Sequence, residues 1–134
     1  MKKFYTVAGS ALLAGASLLY STLPVLAAAS DYEFQAVQTD VKKGSGAVVA
    51  VRLVDKRTGA SVPDAVIFTT RMDMAPEGME SMTTPVEASS STEPGLYTFK
   101  TDLVMEGGWR LQIAAKVQGE PETVQGELVF KATP

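Results

Sequence analysis

From Tyr32 onward, apolar and polar positions alternate in short runs, and no apolar stripe repeats at helical spacing. Tyr32 to Val37 alternates and predicts a first strand with one buried face. Ala47 to Val54 carries Val48, Val49, Val51, Leu53 and Val54 and predicts a central strand. Ala65 to Met72 is β-branched and aromatic, entered through Pro63, and predicts a third. A short strand is expected around Pro85–Ala88. Leu96 to Lys100 alternates, as does Trp109 to Val117, with Trp109, Leu111, Ile113, Ala115 and Val117 on one face. Val124 to Lys131 is the last strand. Polar, Gly- and Pro-bearing segments separate these runs at 42–46, 55–59, 89–95 and 118–121. Residues Asp73 to about Thr84 are expected to form a loop.

Six or seven short strands joined by short turns, each with one apolar face, pack as two facing sheets. The expected class is therefore all-β, an immunoglobulin-like antiparallel β-sandwich of about seven strands. A small closed barrel is the alternative. Trp109 is the expected centrepiece of the core, because a large aromatic on a central strand fills the gap between sheets.

Residues 1–29 break this pattern. Lys2 and Lys3 precede an uncharged stretch from Phe4 to Ser30, whose Val7–Leu19 portion is small and apolar, and Ala27-Ala28-Ala29 closes it. That order is a signal peptide, with cleavage expected after Ala27 or Ala29. An uncleaved membrane anchor is the alternative, since the stretch is long enough to span. Either way the domain, residues 30–134, is expected in the periplasm or outside the cell. A lipid anchor on cysteine is excluded because the chain has none.

Loss of residues 1–29 removes two lysines and no acid, taking the formal charge from −3 to −5. A mildly acidic domain is a poor partner for nucleic acid or anionic lipid. The chain has neither histidine nor cysteine. Ser-His-Asp and Cys-His catalysis, disulfides and the usual zinc sites are thereby excluded. Gly107-Gly108 leads into a strand and is no phosphate loop. The expectation is a protein that is not an enzyme.

Four of the six methionines fall within eleven positions, at Met72, Met74, Met79 and Met82, and Met105 stands before Gly107-Gly108-Trp109. A thioether is a soft neutral donor suited to Cu(I) or Ag(I) rather than to zinc or magnesium. Met72 and Met74 are two apart and face one side of an extended chain. Pro76 and Gly78 allow a turn that returns Met79 and Met82. These five methionines are the candidate metal ligands. Two other readings stand beside this one: methionine as a flexible filler of core gaps, and a methionine-lined surface that docks a protein. Asp73, Glu77 and Glu80 are expected to keep the loop solvated.

Val62-Pro63-Asp64-Ala65-Val66, the Met72–Met82 stretch, Gly95-Leu96-Tyr97 and Met105-Glu106-Gly107-Gly108-Trp109-Arg110-Leu111 occur in that order. Together they resemble the YtkA-like and FixH-like family of exported domains, over roughly Val48 to Lys131. The resemblance implies an immunoglobulin-like sandwich in the bacterial envelope, associated with heavy-metal efflux or with assembly of copper oxidases. An envelope protein of that kind is the implied partner, with membrane contact only if the N-terminal segment is retained. A non-metal protein-binding module of an envelope complex is the alternative function.

Overall fold

Each alternating run becomes a strand whose apolar side faces the same interior. The computed structural model describes residues 29–91 and 93–134. The expected signal segment therefore lies outside the described residues, apart from Ala29. Nine strands are described: Tyr32–Ala36 (β1), Asp40–Lys42 (β2), Gly44–Asp55 (β3), Val66–Met74 (β4), Met79–Thr84 (β5), Val86–Ser89 (β6), Leu96–Leu103 (β7), Gly107–Lys116 (β8) and Val124–Thr133 (β9). They form a four-stranded sheet in the order β1-β3-β7-β6 and a five-stranded sheet in the order β2-β9-β8-β4-β5. The pairings are antiparallel except β2 with β9. The two sheets face each other as an immunoglobulin-like β-sandwich, with two more strands than the sequence pattern predicts. One addition is β2, three residues on the edge. The other is β5, within the segment expected to be a loop.

The core is built by residues two apart. Val49, Val51 and Leu53 from β3 and Phe99 and Leu103 from β7 meet Trp109, Leu111, Ile113 and Ala115 from β8 and Phe130 from β9. Trp109 is completely buried, and its indole N–H donates to the Met105 carbonyl at 3.0 Å. That bond satisfies the polar edge of a ring buried for its apolar body.

One expected face is corrected. Sequence alternation sets Phe68 on the same side as Met72, yet Phe68 is 55 % exposed and Met72 fully buried. The register between β4 and β8 shifts between Ile67 and Thr69. An extra residue there reverses the inside-outside parity of everything after it.

The connection entering β4 is pinned by a tyrosine. The Tyr97 hydroxyl donates to the Val62 carbonyl at 2.7 Å and accepts from the Ala65 N–H at 3.1 Å. Gly95, two residues earlier, has φ +81°, and a side chain on it would collide with Ser61. Glycine alone takes that conformation at no cost and leaves room for the neighbouring segment.

Candidate functional site

The methionine-rich segment is a hairpin. β4 runs to Met74, a 3-10 turn covers Ala75–Glu77, and β5 starts at Met79. Pro76 sits in the first turn, where its missing N–H has no partner to lose. Gly78 closes the turn by donating to the Ala75 carbonyl at 2.8 Å. The register is Met72 opposite Thr84, Asp73 opposite Thr83 and Met74 opposite Met79, with an irregularity between Asp73 and Met74. The expected loop is corrected accordingly: Pro76 and Gly78 account for a turn of a few residues. The Ser/Thr-rich Ser81–Thr84 pairs with β4 as strand.

The five candidate residues divide by burial. Met72 and Met74 are fully buried in the sandwich core. Met82 is half-buried and packs against that core. Met79 and Met105 are at the surface, 36 % and 38 % exposed. Met74 and Met79 are cross-strand neighbours at the hairpin tip. Met105 lies just before β8, at the end of the sandwich where that tip docks. Among the described residues, no group of three or more Asp or Glu side chains is placed to hold a metal ion.

The docking of the tip is specific. The Glu77 carboxylate accepts from the Gly108 N–H at 2.7 Å. A side-chain carbon on Gly108 would come within 2.8 Å of Pro76 Cβ. Gly108 is thus required by close approach of the turn to the backbone of β8.

Asp73 was expected to solvate a loop and instead is completely buried. Its Oδ2 accepts from Arg71 Nε at 2.9 Å and from an Arg110 guanidinium nitrogen at 2.8 Å, and its Oδ1 accepts from the Ala75 N–H at 3.0 Å. Burial pushes the carboxyl upward, but the donors on Arg110, Ala75 and Arg71 outweigh it and hold Asp73 below the usual carboxylate range. Arg71 also donates to the Glu80 carbonyl at 3.0 Å, and Arg110 stands 3.5 Å from Glu127. This network joins β4, β5, β8 and β9 across the outer face of the five-stranded sheet. The alternation Arg71-x-Asp73 on a strand was the sequence signal for it. Its partner Arg110, 37 residues on, was not marked by any local pattern.

The motifs that carry the family resemblance now have physical roles. Val62–Ala65 and Tyr97 form one hydrogen-bonded corner. Gly108 receives the hairpin tip, and Trp109 fills the core. A sequence profile described as YtkA-like matches residues 26–114. The chain belongs to the YtkA-like family. The match spans the sandwich from before β1 into β8 and includes all five candidate methionines. Among solved structures, this YtkA-like chain is similar to the Lin-41 filamin domain at 20 % identity and a TM-score of 0.43, covering 72 % of this chain and 91 % of that one. It is also similar to the ZirS C-terminal domain at 12 % identity and a TM-score of 0.41, covering 88 % and 87 %. No curated protein matches it.

Proposed function

We propose that this YtkA-like domain is an exported, non-enzymatic accessory protein of the cell envelope that binds Cu(I) or Ag(I) at the hairpin rim. The observation that carries the reading is the arrangement at the tip. Met79 is exposed and stands opposite buried Met74, and exposed Met105 lies at the same end, next to the glycine that anchors the turn. Exposed methionine outside the cell is an oxidation liability, and neither Met79 nor Met105 belongs to the core cluster. Met74, Met79 and Met105 are the ligands best placed to act together. Met72 and Met82 pack in or against the core without a methionine across the strand from them; Met74 is as fully buried as Met72 and enters the reading through its pairing with Met79. Neutral thioethers favour a soft monovalent ion and release no proton on binding. The family resemblance supports delivery to, or removal from, a metal-efflux or oxidase-assembly component.

The test is competition of the purified protein against a chromophoric Cu(I) chelator under reducing conditions, beside Met79→Leu and Met105→Leu and their double variant. Leucine keeps the volume and removes the donor. The expected result is one ion per chain for the native protein and a loss of about tenfold or more in affinity per substitution. Binding that is equal in native and double-variant protein removes the rim from consideration.

A further inference from the structure

The five candidate methionines meet solvent very differently. Met72 and Met74 are sealed, Met82 packs against the core, and Met79 and Met105 stand at the surface. At both exposed positions the fold engages the backbone and leaves the side chain outside the core. Met79 pairs with Met74 as a strand residue, and the Met105 carbonyl accepts the Trp109 indole N–H at 3.0 Å. Neither sulfur is part of the core cluster. A chemical change at these two sulfurs therefore leaves the packing in place. The same change at Met72 or Met74 would set a polar group inside the sandwich, with the cost of an unpaired buried dipole.

The change that thioethers undergo outside the cell is oxygen transfer from peroxide. The sulfur lone pair attacks one oxygen of hydrogen peroxide, and an S–O bond forms as the O–O bond breaks. Sulfur loses two electrons, and the second oxygen leaves with both hydrogens as water. Contact with the oxidant is all the step requires, so exposure sets the order in which the five react.

We propose that Met79 and Met105 are sites of reversible sulfoxidation by hydrogen peroxide, and that they form the oxidant-sensitive part of the rim. Methionine sulfoxide reductase restores the thioether. Its thiols take up the oxygen as water and become a disulfide, and both sulfoxides lie at the surface where that enzyme can reach them. With the core methionines spared, the domain stays folded through the cycle. The consequence for an ion rests on the metal reading. A sulfoxide offers a polar oxygen, a harder donor than the sulfur it replaces, so oxidation removes Cu(I) or Ag(I) from the rim. The linkage is reciprocal, and an ion that holds the lone pairs slows their oxidation.

Peptide mapping by mass spectrometry of the purified protein after graded hydrogen peroxide treatment tests the proposal. The expected result is sulfoxide at Met79 and Met105 about tenfold or more faster than at Met72 and Met74, with Met82 between them and the difference lost in urea. Trp109 fluorescence stays native in protein oxidised at both surface positions, and reductase treatment returns them to thioether. Ag(I), which hydrogen peroxide does not oxidise further, probes the linkage: one equivalent should slow oxidation of Met79 and Met105 about tenfold. Equal rates at surface and core methionines in folded protein overturn the proposal. So does loss of native fluorescence on oxidation of the surface pair, or a sulfoxide there that the reductase leaves unreduced. Ag(I) that fails to bind, or binds without slowing either residue, overturns the metal reading, while the mapping still decides the sulfoxidation sites.

Discussion

Replacing Asp73 by Asn tests whether the buried network holds the hairpin in place. Asn keeps the size of the side chain and one oxygen to accept from the Ala75 N–H, and it loses the charge that Arg110 and Arg71 face. The Arg71 side chain is 46 % exposed, so its contribution is screened and small. Arg110 is 20 % exposed and keeps only weaker carboxylate contacts, to Glu127 at 3.5 Å and Glu80 at 3.9 Å. Its Nε is already buried without a hydrogen-bond partner. Losing the 2.8 Å charged bond leaves a largely buried guanidinium under-compensated, and a charge-assisted hydrogen bond of this kind is worth about 1.5–3 kcal/mol. The expected cost of Asp73→Asn is about 2–3 kcal/mol, a fall in Tm of roughly 10–15 °C for a domain of this size.

The pH dependence separates this cause from a packing defect. The folded-state pKa of Asp73 is depressed, so its stabilisation is present above the unfolded value and lost as pH falls through the folded one. The gap between native and variant protein should therefore be constant near neutrality and narrow below about pH 4. Urea unfolding followed by the single buried Trp109 measures both. A neutral-pH loss below about 0.5 kcal/mol, or a gap that persists unchanged into acid, refutes the network as the cause.

Two further substitutions probe the motifs that carry the resemblance. Gly108→Ala drives a methyl toward Pro76 and should cost about 1–3 kcal/mol in urea unfolding, with the hairpin tip losing protection in hydrogen exchange before β8 does. Tyr97→Phe removes the bond to the Val62 carbonyl and the acceptor for the Ala65 N–H, and should cost about 1–2 kcal/mol while accelerating exchange of the Ala65 amide.

The parts of the fold legible in the sequence are those governed by period two. Trp109, Leu111, Ile113 and Ala115 alternate without interruption, and each is buried as the pattern predicts. The pattern fails where a single backbone event resets it. The bulge at Phe68 leaves no mark in composition, yet it reverses which residues of β4 face inward. β5 was hidden because Met79-Glu80-Ser81-Met82 has no alternation, and its pairing depends on a turn three residues long. The site was legible as a set of residue types but not as a geometry. Met74 and Met79 both fall in the segment read as a loop, and only the pairing of β4 with β8 and β5 shows that Met74 joins Met72 in the core while Met79 stays at the surface. Asp73 looked like a loop acid because its partner Arg110 is distant in the chain and adjacent in the sheet.

Most of what makes this chain recognisable is consumed by the architecture. Gly95 and Tyr97 fix the corner into β4, Gly108 admits the turn, and Trp109 fills the space between sheets. Such residues would recur in any domain built this way, so they argue for the fold and are silent about a ligand. The informative remainder consists of features the fold does not need. Two are conspicuous: exposed thioethers at Met79 and Met105, and an uncharged strand edge from Val66 to Thr70. Both carry a cost in the extracellular setting expected from the sequence, oxidation for the first and aggregation for the second. Neither Met79 nor Met105 belongs to the core cluster. The two features lie on opposite halves of β4, the rim beyond Met74 and the edge before Arg71, so substitutions at the rim should change metal binding without disturbing the edge.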